Sequence, residues 1–173
     1  ATAIGEVGLD YSRRARAGRA TQRHALERIL DTDAAQHKLV TLHSVAATHD
    51  IVAALRNHPI AGAVLHWFLG TPADIDATIE LDTFYSVNVA MFRSERGRSA
   101  VAEMPPNRIL AETDAPFTKH RSTPTRPGDV EAVERALARL WSVDPTEVRN
   151  RLWSNLAALQ DRLAAPPFPS IRR

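Results

Sequence analysis

The 173-residue sequence contains no cysteine. That excludes a disulfide framework and any thiolate metal site, and it leaves histidine, aspartate and glutamate as the strong ligand types. No apolar run approaches the roughly 18 residues needed to cross a bilayer, and the first residues lack the basic-then-apolar pattern of a secretory signal. A cytoplasmic location without membrane contact is therefore expected. A large excess of one charge is also missing: the net charge is +2, too small by itself to argue for nucleic acid. Gly-rich phosphate loops, Ser-His-Asp arrangements, internal repeats and low-complexity segments are absent. What is present, 44% hydrophobic and 24% charged residues, is the ordinary make-up of one globular domain with a core.

Short apolar runs alternate with longer segments of helical period, which predicts βα units around a parallel sheet. Strands are expected over 3–7, 39–42, 61–65, 84–89 and 108–111, with helices over 21–35, 46–57, 72–80 and 94–104. Thr71-Pro72 with Asp74 supplies the cap, first-turn proline and early acid of a helix start. Val130, Val133, Leu137 and Leu140 recur at helical spacing, as do Val148, Leu152, Leu156, Leu159 and Leu163, so two amphipathic helices close the fold. Asp144-Pro145 with Glu147 resembles a capping box. The tail over 166–173 is expected to be loose. The chain opens without methionine on Ala3-Ile4-Gly5-Glu6-Val7-Gly8-Leu9-Asp10, which already reads as a buried strand, and material upstream is expected.

Placed on this map, Glu6, His43, His66 and Asp114 each fall at or just beyond the end of a different strand. In a parallel α/β barrel such ends share one face, where active sites are built. A histidine after an apolar run is by itself more often a hydrogen-bonded structural residue, and Glu6 alone could simply accept backbone N–H groups in a turn. Four such residues at equivalent positions instead suit a divalent cation, Zn, Mn or Mg. Glu112 and Asp114 are set where the strand must stop before Pro116, and the positive partner of Asp114 would then be that divalent cation. His24, His37, His49, His58 and His120 fall in helices or loops and are expected to be solvated.

Basic residues also cluster after strand ends. Arg13, Arg14, Arg16 and Arg19 follow the first strand, Arg93, Arg96 and Arg98 the fourth, and Lys119, His120, Arg121 and Arg126 the fifth. Any one such loop could be ordinary solvated surface. Together they would form a cationic rim around the ion, suited to a polyanion such as nucleic acid.

Four segments, Ala3-Ile4-Gly5-Glu6-Val7-Gly8-Leu9-Asp10, Leu42-His43-Ser44, Val64-Leu65-His66-Trp67-Phe68-Leu69-Gly70 and Leu110-Ala111-Glu112-Thr113-Asp114-Ala115-Pro116-Phe117, resemble in order and separation the signatures of the TatD family of metal-dependent deoxyribonucleases. Gln22 and Asn155 fall where the family usually has Gln and Asn. His66-Trp67-Phe68, Phe84-Tyr85-Ser86-Val87 and Met91 further resemble the branch encoded in Qat anti-phage operons, which implies partner proteins of a defence operon. The resemblance implies a (β/α)8 TIM-type barrel that binds one or two divalent ions and hydrolyses phosphodiesters, often from a 3′ end of single-stranded DNA. Carried over by motif, Glu6, His43, His66 and Asp114 would be the metal ligands. Glu6 would bridge two ions, and Asp114 would also orient or deprotonate water. Glu112 would support a ligand rather than bind the ion. Arg93, Lys119 and Arg121 would bind substrate.

Two departures stand out. The family's N-terminal strands, with a His-x-His pair where present, have no counterpart, so the chain is expected to form a single incomplete barrel over 1–173, corresponding to strands 4 to 8. Five strands of eight cannot close a barrel. Ser44-Val45-Ala46 also replaces the basic residue usual soon after the second-segment histidine. Besides a nuclease, a catalytically silent scaffold subunit of an anti-phage complex and a metal-dependent amide or ester hydrolase remain open.

Overall fold

The computed structural model describes residues 3–120 and 123–164. Five parallel strands, β1 (Ala3–Asp10), β2 (Leu39–Val45), β3 (Ala63–His66), β4 (Phe84–Val87) and β5 (Ile109–Ala111), lie side by side in chain order. Helices α1 (Arg19–Leu30) and α2 (Asp33–Gln36) connect β1 to β2, and α3 (Thr48–Asn57), α4 (Pro72–Glu80) and α5 (Glu95–Glu103) occupy the next crossovers. A short antiparallel ribbon, β6 (Lys119–His120) and β7 (Thr123–Pro124), precedes α6 (Glu131–Trp141) and α7 (Pro145–Ala164). This is the α/β arrangement expected, five strands followed by two C-terminal helices. The loose tail expected over 166–173 lies outside the described residues.

Several boundaries moved for identifiable reasons. The helix expected over 21–35 is broken because the Thr32 hydroxyl accepts from Ala35 N at 3.2 Å and starts a new turn. The expected strand 84–89 stops at Val87, where the Asn88 side chain accepts from Ala90 N at 3.0 Å and turns the chain. α3 begins at Thr48, not 46, because β2 continues to Val45. The start of α4 is the capping box expected, Thr71 and Asp74 each closing on the other's backbone.

Side chains alternate across each strand, so each face of the sheet has its own residue set. Leu9, Val40, Leu42, Leu65, Tyr85, Val87 and Ile109 are fully buried in the cluster that also holds Leu26, Leu30, Ile51, Leu55, Ile75 and Val101 of the helices. The other face carries Val64, Phe84 and Leu110, covered by Leu159 with Leu156 and Leu163 of α7. Two residues further along the same strands and on the same face stand His66, Ser86 and Glu112. The apolar layer is thus packed by α7, and the polar layer is left for the mouth of the sheet.

Two amide side chains act as backbone clamps. Gln22 of α1 accepts from Asp10 N at 2.8 Å and donates to Asp10 O at 2.9 Å, fixing the end of β1. Asn155 of α7 is buried and donates to the carbonyls of Pro106 and Ile109 at 2.8 and 2.7 Å, locking α7 against the start of β5. Tyr11 adds a third tie, donating to Asp50 of α3 at 2.6 Å with Arg19 over its ring.

β1 runs three residues past its expected end because Gly8, Leu9 and Asp10 pair with His43, Ser44 and Val45. Gly8 has φ 140°, and a Cβ there would lie 2.4 Å from the carbonyl oxygen of His43. Only glycine lets the two strands meet at this rung. Gly8→Ala is expected to lower unfolding free energy by about 1–3 kcal/mol, read as a reduced denaturant midpoint in circular dichroism.

The two tyrosines give a pH signature. Burial, and then the hydrogen bond to the Asp50 carboxylate, push the Tyr11 phenol from 10.0 to about 12; burial also raises Tyr85. A raised folded-state value favours the protonated phenol in the native protein. The Tyr11 contribution is therefore complete below pH 10 and lost as pH climbs from 10 towards 12. An absorbance titration should show no phenolate appearing at the ordinary midpoint while the fold persists, and Tyr11→Phe should flatten the alkaline loss of stability.

Candidate metal centre

Glu6 and His43 were expected at strand ends, but they lie within β1 and β2, because both strands extend beyond the expected limits. His66 is the last residue of β3, and Asp114 lies three residues past β5. Two features of register bring the first three together. Between the pairs Ile4–Val40 and Val7–Leu42, two residues of β1 oppose one of β2, a bulge that re-aims Glu6. Gly5 makes it possible, with φ 150° and a position where a Cβ would strike the Thr41 hydroxyl. Leu42 pairs with Leu65, so the next rung sets His43 beside His66, with stacked rings whose centroids are 6.0 Å apart.

Glu6, His43 and His66 each offer a ligand atom, and these atoms all lie within 4.8 Å of one another. His43 Nδ1 touches Glu6 Oε1, and His66 Nε2 lies 3.8 Å from Glu6 Oε2. The orientation of His66 is set from behind. Its Nδ1 donates to Glu112 Oε2 at 2.7 Å, and that carboxylate also accepts from Ser86 Oγ and, at 2.9 Å, from Asn88 Nδ2. With Nδ1 protonated and held, the Nε2 lone pair faces Glu6. A carboxylate behind an imidazole is how proteins fix a metal-binding tautomer. Two nitrogens and a carboxylate at this separation therefore fit a divalent cation of the Zn, Mn or Mg class.

Electrostatics match this geometry. The hydrogen bond from His43 holds the Glu6 carboxyl below its usual range despite partial burial. Burial opposes the charge on His66, but Glu112 and then Glu6 outweigh it and raise its value. Asp114 is raised by burial, with Glu112 and Glu6 adding repulsion that His66 and His43 only partly offset. Three carboxylates around two imidazoles leave an excess of negative charge that a cation would neutralise.

The site opens into a cleft of about 560 Å³ lined by Glu6, His43, His66 and Asp114, by Ser44 to Ala46, Trp67 and Leu69, and by Arg96 and Phe117. Asp114 thus shares the cleft but stands outside the group of three. Ala46, Trp67 and Asp114 all have positive φ, at 52°, 41° and 47°. Such backbone costs about 1–3 kcal/mol per residue and gathers at functional sites.

The cationic residues expected to bind substrate are dispersed. Arg93 is turned away, donating to the backbone carbonyl of Lys119, and does not line the cleft. Lys119 is exposed on β6, and Arg121 lies outside the described residues. Arg96 lines the cleft instead, its guanidinium donating to Leu69 O at 2.6 Å. The run Arg93 to Arg98 marked this region as basic, but which arginine faces inward depends on where α5 starts, and the Ser94 cap sets that. Phe117 also lines the cleft; it ends the fourth family-like segment, but no site role was expected of it. Among the other histidines, His24, His37 and His49 are exposed as expected. His58 is not: it is partly covered and bonded to Asp31 at 2.6 Å. His120 lies where side chains are outside the described set.

Residues 1–160 match the family model of the TatD related DNases. The protein named "3'-5' ssDNA/RNA exonuclease TatD" from Edwardsiella piscicida is 35% identical over 130 residues, covering 72% of this chain and 50% of that protein. "Uncharacterized metal-dependent hydrolase YcfH" from Escherichia coli is 29% identical over 164 residues, covering 91% and 62%. Among solved structures, the TatD homologue YJJV of Escherichia coli superposes with a TM-score of 0.79 at 25% identity, covering 95% of this chain and 64% of that one. The chain spans about half the length of the first of these relatives and less than two thirds of the others.

Glu112→Gln keeps the volume but weakens the acceptor behind His66. Divalent-ion affinity of the folded protein, measured by titration calorimetry with Zn or Mn, is expected to fall about 10- to 100-fold.

Proposed function

The chain belongs to the TatD related DNase family, and from that premise we propose that it carries most of the metal centre of a divalent-dependent phosphodiesterase acting on single-stranded DNA. The observation that carries this reading is the meeting of Glu6, His43 and His66, with His66 oriented by Glu112. Glu6, His43 and His66 would hold the cation. A bound divalent ion supplies Lewis-acid stabilisation of phosphoryl charge and lowers the pKa of water. Asp114, which lines the same cleft, would orient the attacking water and accept its proton at a carboxylate oxygen, and could add a ligand to the cation. Arg96 offers its guanidinium to a phosphate within the cleft, and exposed Lys119 supplies charge further out.

No described helix is long and apolar enough to cross a membrane, in keeping with action on nucleic acid in the cytoplasm. The His66-Trp67-Phe68 form supports a finer proposal, that the protein belongs to the anti-phage branch of the family and works beside partner proteins.

Hydrolysis of end-labelled single-stranded DNA by the polypeptide as its gene encodes it should require Mg, Mn or Zn and stop with chelator. His66→Ala and Asp114→Ala should each lower the rate at least about 100-fold. Unchanged activity in either variant would remove the reading. Chelator-sensitive cleavage of esters or amides without any cleavage of DNA would favour a small-molecule hydrolase instead.

A further inference from the structure

The ligand-type residues occupy only part of the cleft; much of the remaining lining is apolar. Val45, Ala46, Trp67, Leu69 and Phe117 contribute to it. Among the described residues the large hydrophobics most open to solvent are Val45, Ile79, Phe117 and Trp153, and two of these four line this cleft. Phe117 is the extreme, 81% exposed. An exposed aromatic ring is a hydrophobic cost that the fold leaves uncompensated.

Phe117 is nevertheless not on a slack loop. Its own N–H donates to Asp114 O at 2.8 Å, and Thr118 N donates to the same oxygen at 3.1 Å. Thr118 is buried, and its hydroxyl meets the Thr113 carbonyl and, at 2.6 Å, the Thr125 hydroxyl. The turn that carries the ring is therefore pinned immediately before and after it. Phe117 joins neither of the hydrophobic clusters. A ring held firmly, presented to solvent and set three residues from Asp114 is placed to meet a ligand.

We propose that Phe117 is the base-stacking residue of this site, so that the cleft accepts an unpaired nucleotide whose base lies on the Phe117 ring while its phosphate faces Glu6, His43, His66 and Arg96. This deepens the nuclease reading and rests on it. A base inside a duplex has both faces covered by its neighbours and has none to offer the ring. A terminal or single-stranded base does, and stacking of this kind is tolerant of base identity. The apolar surface of Val45, Trp67 and Leu69 bounds the same space. Single-strand preference would then arise from the need for an open base face.

The test is binding, with cleavage blocked by Asp114→Asn and manganese present. Short labelled oligothymidylates are compared by fluorescence anisotropy with oligomers of equal length whose terminal residue, at one end or the other, is an abasic tetrahydrofuran. Loss of the base at the end that enters the cleft is expected to weaken binding roughly tenfold. Phe117→Ala should weaken the base-bearing oligomer by a similar factor and abolish the difference, and Phe117→Trp should restore it. Because the ring is exposed and packs on no cluster, thermal unfolding should be unchanged in both variants. Equal binding of all three oligomers by the protein with Phe117 intact, or a difference that survives Phe117→Ala, would overturn the stacking role while leaving the nuclease reading in place. Binding of none of the oligomers would overturn the nuclease reading and this inference together.

Discussion

The chemistry at the mouth of this sheet depends on one carboxylate that stands behind a ligand-type residue, Glu112 behind His66. Glu112 receives hydrogen bonds from His66, Ser86 and Asn88, which come from the ends of neighbouring strands. A partly buried carboxylate is stabilised when its acceptor capacity is used, and these donors use it. Its effect is to fix a tautomer. With the proton held on Nδ1, His66 has one remaining nitrogen, and it faces Glu6 and His43. Without Glu112, three side chains would lie close to one another with no preferred arrangement. With it, they form a preorganised set of electron-pair donors.

The strength of that arrangement comes from the sheet. Parallel register puts His43 next to His66, and α7 packs the apolar layer beneath through Leu156, Leu159 and Leu163. Asn155 and Gln22 tie helices to strand ends at opposite borders of the sheet. The edges differ from the centre. β1 uses two glycines, one to form a bulge and one to approach β2, so the residue that carries Glu6 sits on the least regular part of the sheet.

Much of this was legible in the sequence because period and spacing record it. The five apolar runs, the Thr71–Asp74 start of α4 and the recurrence of leucines in α6 and α7 each express a local preference that tertiary structure did not overrule. Glu6, His43 and His66 could be singled out because ligand-type residues recurring at equivalent places on several strands are harder to explain than any one of them alone. What could not be read depended on contacts between distant segments. Strand ends moved where pairing across β1 and β2 outlasted the apolar pattern. Arg93 and Arg96 are equivalent in composition, and only the position of the helix cap separates them. Asp114 stands outside the group of three, and its left-handed backbone opens the turn that carries Phe117, a shape no spacing rule encodes. Phe117 stood at the end of a family-like segment with no role attached, because its exposure depends on the turn that carries it.

The rung that aligns Leu42 with Leu65 has a bearing on assembly as well as on chemistry. Sliding β3 by a single position would send His66 to the helix side and bring an aliphatic neighbour to the mouth. Such a misaligned chain would lose its grip on a cation, whereas the correct one keeps it. An ion present while the polypeptide collapses would therefore reward the right alignment by mass action, serving as an inspector of strand pairing before it serves any reaction.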